Sequence, residues 1–506
     1  MVKATLRGAV LLGLLACSAP GFAEVQNVRV GGEVNVRSFL RKNLRLNEDV
    51  FNGVGAGSTS VVGTATGAGS DFGSGEDNFL QQLTAVDVGA DLTENVAAQI
   101  RLINQRVWGG FGSDAADAAV TDANRVDLSL ANVTLKELFY SPLTVTVGRQ
   151  RIWFGRGFIV GSRLMRGDID PGQNLGADEF SDLTAFDAIR GTLDLSGVLG
   201  GFPLVVDGVY AKVDENGISL SSDTDSTADD VNLAGVNLGT RFDQMNGELE
   251  TYFFQKVDKD LDDTGAGAGD LESDPQSNTL GLRGSLSPAE GFSLWSELAF
   301  QWGHRITSTI TFDAEGAAGD DYQAWAANLG LDYGLSDAPW SPTVGAEWLF
   351  WAGDDGGGAV ATGSAIAGWE PVFRGRFTTL IREFQAPGFY MPAQSGSTVG
   401  GTFNNITSSA TNQHQLALHA TLNPIEDLSV DNRLTWFLTD KAIKADTGNT
   451  KTEKFLGTEW DLNANYNYTD DVQMGLIYGI FWPGAVFRHP HDDMAQELVT
   501  SVSVKF

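Results

Sequence analysis

Trp460-Asp-Leu-Asn-Ala-Asn-Tyr-Asn-Tyr468 decides the fold. Trp460, Leu462, Ala464, Tyr466 and Tyr468 fall on one side of an extended chain, while Glu459, Asp461, Asn463, Asn465 and Asn467 fall on the other. Successive side chains of a strand point to opposite faces, so this stretch predicts a strand with one apolar and one wet surface. Phe292, Leu294, Leu298, Phe300 and Trp302 repeat the pattern against Ser293, Glu297 and Gln301. Val344, Ala346, Trp348 and Phe350 do so against Thr343 and Glu347. Beyond the N-terminal segment no stretch reaches the ~18 consecutive apolar residues that a membrane helix needs.

The connections alternate in length. Short turns sit at Thr93–Asn95, Phe139–Pro142, Gly197–Phe202, Asp243–Asn246, Ser287–Gly291, Ser336–Pro342, Asn423–Asp427 and Thr469–Asp471. Longer polar loops lie between them, among them Asn43–Asn78, Asp214–Asp230, Asp258–Ser277 and Gly353–Asn412. The stretches between connections make eighteen strands, from Val25–Leu40 to Glu497–Phe506. An even count with short turns at one end and long loops at the other is the layout of a bacterial outer-membrane barrel. Only a closed sheet leaves no unpaired backbone edge in hydrocarbon. The expected fold is therefore all-β: one closed antiparallel transmembrane barrel of about eighteen strands, with short periplasmic turns and long extracellular loops. In the last strand Leu498, Thr500, Val502, Val504 and Phe506 alternate with Val499, Ser501, Ser503 and Lys505. A terminal strand that ends in Phe506 resembles the signal read by outer-membrane assembly machinery.

The 506 residues carry a formal charge of −32, which argues against nucleic-acid binding because phosphate contacts need basic side chains. A hydrophobic fraction of 42%, with 29 Phe and 12 Trp, is too high for a disordered acidic chain. Most of the negative charge is expected in long outer loops such as Ser221–Asp230 and Asp258–Asp274, where divalent cations can bridge it to lipopolysaccharide and other anionic lipid.

Residues 1–23 read as a signal peptide, with Lys3 and Arg7 before the apolar run Ala9–Ala16 and small residues ahead of Glu24. The barrel would then occupy residues 24–506. Leu14-Leu15-Ala16-Cys17 supports a competing reading, in which Cys17 is lipidated and becomes the new terminus. Cleavage before Glu24 leaves no cysteine, and so no thiolate site, in the mature chain.

Val147-Gly-Arg149-Gln-Arg151-Ile152, followed by Gly155–Gly161 and by Ala185-Phe-Asp-Ala-Ile-Arg190, resembles the alginate-export porin family. Gly457-Thr-Glu-Trp-Asp-Leu462 and Tyr478-Gly-Ile-Phe-Trp-Pro-Gly484 are similar to it as well. The resemblance implies an eighteen-stranded outer-membrane channel that passes anionic polysaccharide or small solutes, with positive charge around Arg149–Arg190 at a constriction. The sequence departs from the alginate exporter in having few basic residues.

Parity estimates the lumen. Taking the apolar face as outward, inward positions include Arg29, Arg37, Arg101, Arg190, Arg283 and Arg433, together with Glu33, Asp87, Asp127, Asp194, Glu250, Glu297, Glu347, Asp431, Glu459 and Asp461. Each acid is expected to be a solvated or arginine-paired wall residue. Arg149 and Arg151 resist this pattern, because alternation from Val145 and Val147 points both at lipid. Either Gly148 carries a bulge that resets the register, or the strand has reached the outer interface. Two loops are candidates to fold inward: 156–182, with Arg156, Arg163 and Arg166, and 353–412, with Arg374, Arg376 and Arg382.

Catalytic chemistry is not expected. None of the five His stands in a His-x-Ser arrangement, and no nucleophile has an adjacent base. His489-Pro-His491-Asp-Asp493 reads as a polar loop rather than a metal site. Asp258-Lys-Asp-Leu-Asp262 lacks the glycine and glutamate of a calcium loop. No catalytic residue, metal or cofactor is assigned. Three functions remain open: an exporter of acidic polysaccharide, a general uptake porin, and a structural sleeve around a partner such as a cytochrome. Arginine-rich inner loops favour a channel, whereas an empty wide lumen would favour the sleeve.

Overall fold

A computed structural model describes residues 27–44, 76–108, 126–161, 180–215, 230–258, 276–304, 321–353, 368–383, 411–444, 452–485 and 493–506. The chain forms β1 (Asn27–Lys42), β2 (Glu76–Thr93), β3 (Val96–Val107), β4 (Asp127–Leu135), β5 (Leu143–Gln150) and β6 (Phe186–Asp194). It continues through β7 (Leu204–Glu215), β8 (Asp230–Phe242), β9 (Gly247–Asp258), β10 (Gln276–Ala289), β11 (Phe292–His304) and β12 (Asp321–Gly334). It ends with β13 (Thr343–Trp351), β14 (Gln413–Ile425), β15 (Leu428–Lys444), β16 (Thr452–Asn467), β17 (Val472–Pro483) and β18 (Ala495–Lys505).

All eighteen strands lie in one sheet and pair antiparallel with their sequence neighbours. The sheet closes where β1 meets β18, from Glu33 opposite Lys505 to Lys42 opposite Gln496. The strand count and the eight short turns agree with the sequence reading; β1 and β18 are each displaced by two residues at an end. Residues 1–26 lie outside the described residues, as do the acidic loop stretches 221–229 and 259–274.

The alternation sorts side chains between two environments. Outward-facing Leu298 and Leu418 are more than half exposed, as the lipid-facing surface of such a barrel requires. Near the long-loop end Trp325, Phe350, Trp348 and His414 pack together on this face. Tyr333 and Phe292 approach each other near the short-turn end. Aromatics thus flank the apolar band at both interfaces.

Trp295 breaks the pattern. It stands at inward parity between Leu294 and Ser296, is buried, and donates its indole N–H to Asn328 Oδ1 at 3.0 Å. Gly148 does not reset the register. Its φ is +113°, and a Cβ there would fall 2.3 Å from the Ala131 carbonyl, but β5 stays in step with β4 and β6 through it.

Candidate channel constriction

Two segments leave the wall and pack inside the barrel at its long-loop half: residues 151–161, after β5, and residues 368–383, between β13 and β14. In the first, Ile152, Phe154, Phe158, Ile159 and Val160 are buried against inward wall residues that include Phe186, Ala211, Phe254 and Trp351. Each such side chain contributes about 1.5–3 kcal/mol when removed from water, which is enough to hold a loop against the wall. The segment folds back on itself, with Trp153 bridged to Gly161 and Phe154 N–H donating to Val160 O at 3.1 Å.

Val160 and Phe373 form a parallel bridge that joins the two segments. Gly161 N–H donates to Phe373 O (2.8 Å), Phe373 N–H to Ile159 O (3.1 Å) and Gly375 N–H to Gly157 O (2.9 Å). The second segment is gripped by wall side chains along its length. Gln301 both donates to Glu370 O (2.8 Å) and accepts its N–H (2.9 Å). Glu459 accepts the N–H groups of Ile381 (2.6 Å) and Arg382 (2.8 Å), and Asp461 that of Leu380 (3.4 Å). Leu380 and Ile381 then pack on Phe437, Leu456 and Phe481.

The arginines are mostly neutralised where they stand. Glu347 receives Arg376 and, at 2.8 Å, Arg433, and its Oε1 also accepts from Asn328 at 2.9 Å. Arg374 is buried against Glu383 and lies over Trp351. Burial alone would raise the Glu383 pKa. The Arg374 charge, Gln415 and the Thr378 N–H outweigh burial and hold Glu383 at about 2. Arg382 donates to Gln413 Oε1 at 3.1 Å, and burial lowers its pKa to about 10. Arg190 binds Asp207 at 2.8 Å.

Arg156 differs. Its guanidinium sits 4.0 Å over the Trp295 ring, and among the described residues no carboxylate pairs with it. Burial, and then the neighbouring Arg376 charge, lower its pKa to about 10, so it stays a cation at neutral pH.

Asp182 organises the opposite wall. It binds Arg101 (2.7 Å) and Arg151 (2.5 Å), while Arg101 also reaches Glu33 (3.2 Å) and Asp87. Phe180 stacks edge-on against Phe39 and lies under Arg37. Arg283 binds Glu250 (2.7 Å), and Glu297 accepts from Tyr252 O–H (2.8 Å). Arg29 sits exposed at the short-turn rim beside Asp91.

Two expectations need correction. Arg149 does not reach the lumen: it lies directly opposite Asp187 on β6, and the flanking Phe186 and Ala188 point inward, so both charges face outward near the strand ends. The outer-interface reading is therefore the one that fits Arg149. Arg151, beyond the end of β5, turns inward to Asp182 instead. Glu459 points inward but is neither solvated nor arginine-paired, because the 368–383 segment covers it; Glu347 is covered as well, and its arginine pairing is as expected. Glu347 is paired with arginines, whereas Glu459 is used on backbone donors. Arg163, Arg166, His489 and His491 lie outside the described residues.

Trp153, Asp182, Trp295 and Glu383 escaped the sequence reading. The available signals were a tryptophan at polar parity (Trp295) and one among closely spaced glycines (Trp153); neither acid carried any.

A closed antiparallel barrel with lipid-compatible outer residues, short turns at one end and inner segments narrowing the bore is an outer-membrane channel of porin type. The family model described as Alginate export matches residues 218–501, more than half of the sequence, and the chain belongs to that family. The motif stretch around 147–190 lies outside the match, and the 457–484 stretch lies within it. No curated protein matches the chain. Among solved structures it is similar to OccK2 (OpdF) of Pseudomonas aeruginosa in complex with glucuronate, at 12% identity over 95% of this chain and 98% of that one, TM-score 0.49. It is likewise similar to OccAB1 of Acinetobacter baumannii, at 10% identity over 96% and 99%, TM-score 0.49.

Proposed function

We propose that this outer-membrane channel passes acidic polysaccharide or small anionic solutes with a weak anion preference set at the constriction. The observation that carries the reading is Arg156, a cation held in the bore over Trp295 that forms no ion pair with a described carboxylate. Low-dielectric walls focus the field of such a charge, so it outweighs distant acidic loops. Arginine suits carboxylate-bearing solutes because its planar fork pairs with them at two points. The neighbouring pairs of Glu347, Glu383 and Asp207 cancel most other charge, which keeps the preference weak. Inner segments that fill the bore favour this reading over a sleeve for a partner protein. The channel carries out no catalysis in this reading.

Phe506 is the proposed handle for the assembly machinery. It lies beyond β18, is largely exposed, and exchanges backbone hydrogen bonds with Gly32 (2.8 and 3.1 Å). Outward Arg149, at the long-loop end, is proposed to meet lipopolysaccharide phosphate.

Planar-bilayer recording tests the solute. Polyuronate should interrupt the current of the unmodified channel, and Arg156→Ala should weaken that block and move the reversal potential toward cations. An unmodified channel that is strongly cation-selective and indifferent to polyuronate would leave only a general porin.

A further inference from the structure

Ile152 and Phe154 are buried on the wall, so the alternate residues Arg151 and Trp153 turn the other way, into the bore. The Arg151 side chain is 52% exposed and Trp153 is 46% exposed. Large aromatics in a folded interior are ordinarily covered, because burying their area is what stabilises them. Here the fold holds an indole in place and leaves it open.

The support is built from glycines of both inner segments. A Cβ at Gly157 would fall 2.3 Å from Trp153 Cζ2, one at Gly375 2.8 Å from Cζ3, and one at Gly161 3.0 Å from Cε3. Backbone therefore lies directly against the six-membered ring, and a side chain at any of these positions would displace it. The indole N–H is already spent on Gly155 O at 3.1 Å. What remains to offer a solute is aromatic surface.

We infer that Trp153 is a stacking platform for the pyranose rings of an acidic saccharide in transit, with Arg151 beside it to meet the carboxylate. A pyranose presents C–H groups on its faces and hydroxyls around its rim. One face can thus lie on an indole while the rim stays hydrated, an arrangement analogous to stacking of bases on aromatic side chains. Arg151, two residues before Trp153 in the chain, is tied to Asp182 through Nη2, which fixes its guanidinium. The inference rests on the polysaccharide reading above and names the contact that reading lacks.

The experiment records single channels of the full-length protein with oligogalacturonate, and with maltohexaose as a neutral probe. Trp153→Ala and Trp153→Leu should shorten oligogalacturonate residence about tenfold, and Trp153→Phe should keep it within about twofold. Arg151→Gln should shorten residence of the uronate probe and spare the neutral one. Unchanged residence in Trp153→Ala, or full retention by Trp153→Leu, overturns the platform while leaving the polysaccharide reading intact. Failure of oligogalacturonate to interrupt the unmodified channel overturns both.

Discussion

Glu459 on β16 accepts the backbone N–H of Ile381 at 2.6 Å, which ties a wall strand to a segment 78 residues earlier in the chain. The same carboxylate accepts the Arg382 N–H, so a single side chain fixes the orientation of two peptide groups. A hydrogen bond of this kind contributes about 0.5–1.5 kcal/mol.

Replacing Glu459 by Ala removes both bonds while leaving the barrel ladder intact. The expected result is a larger and noisier single-channel current, as the 380–382 stretch loses its anchor. A current indistinguishable from that of the unmodified channel would mean that the apolar contacts of Leu380 and Ile381 and the Asp461 bond hold the stretch without Glu459.

Glu347 carries a different risk. Glu347→Ala leaves Arg376 and Arg433 facing each other without their shared partner. Removing one member of a buried ionic group costs about 3–5 kcal/mol. Urea unfolding in lipid vesicles should show a loss of that order, partly recovered by adding Arg433→Leu.

Acid should loosen the constriction before it affects the barrel. The folded pKa of Glu383, about 2, lies below its ordinary 4.5. Its stabilisation is therefore fully present above about pH 4.5 and is lost as pH falls toward 2, by on the order of 3 kcal/mol. Conductance recorded between pH 5 and 2.5 should rise in that window, and Glu383→Gln should abolish the rise.

Neighbouring positions on β2 test the register. Asp87 faces Arg101 in the bore, whereas Val86 points outward and is well exposed there. In vesicles, Asp87→Cys should react with a membrane-impermeant thiol reagent and Val86→Cys should not. Equal labelling would contradict the assignment of faces.

The barrel was legible because alternation is local: Trp460 to Tyr468 declares both of its faces with no reference to the remainder of the chain. The turns were legible for the same reason, as at Asn423–Asp427. The constriction was not. That Arg376 would meet Glu347 and Arg433, or that Val160 would pair with Phe373, depends on which residues a closed barrel brings together, and no spacing in sequence records it. Arg149 shows the converse. Parity placed it on the outer face, and the resemblance drew it toward the pore; the register with Asp187 sides with parity.

The single-channel conductance of a variant lacking residues 368–383 tests most directly whether the inner segments set the pore. The expected result is a conductance several-fold above that of the unmodified channel, with the weak anion preference reduced, since the contacts that hold 157–161, and with them Arg156, are lost. A correctly inserted variant with unchanged conductance and selectivity would contradict it and place the limiting aperture elsewhere in the barrel.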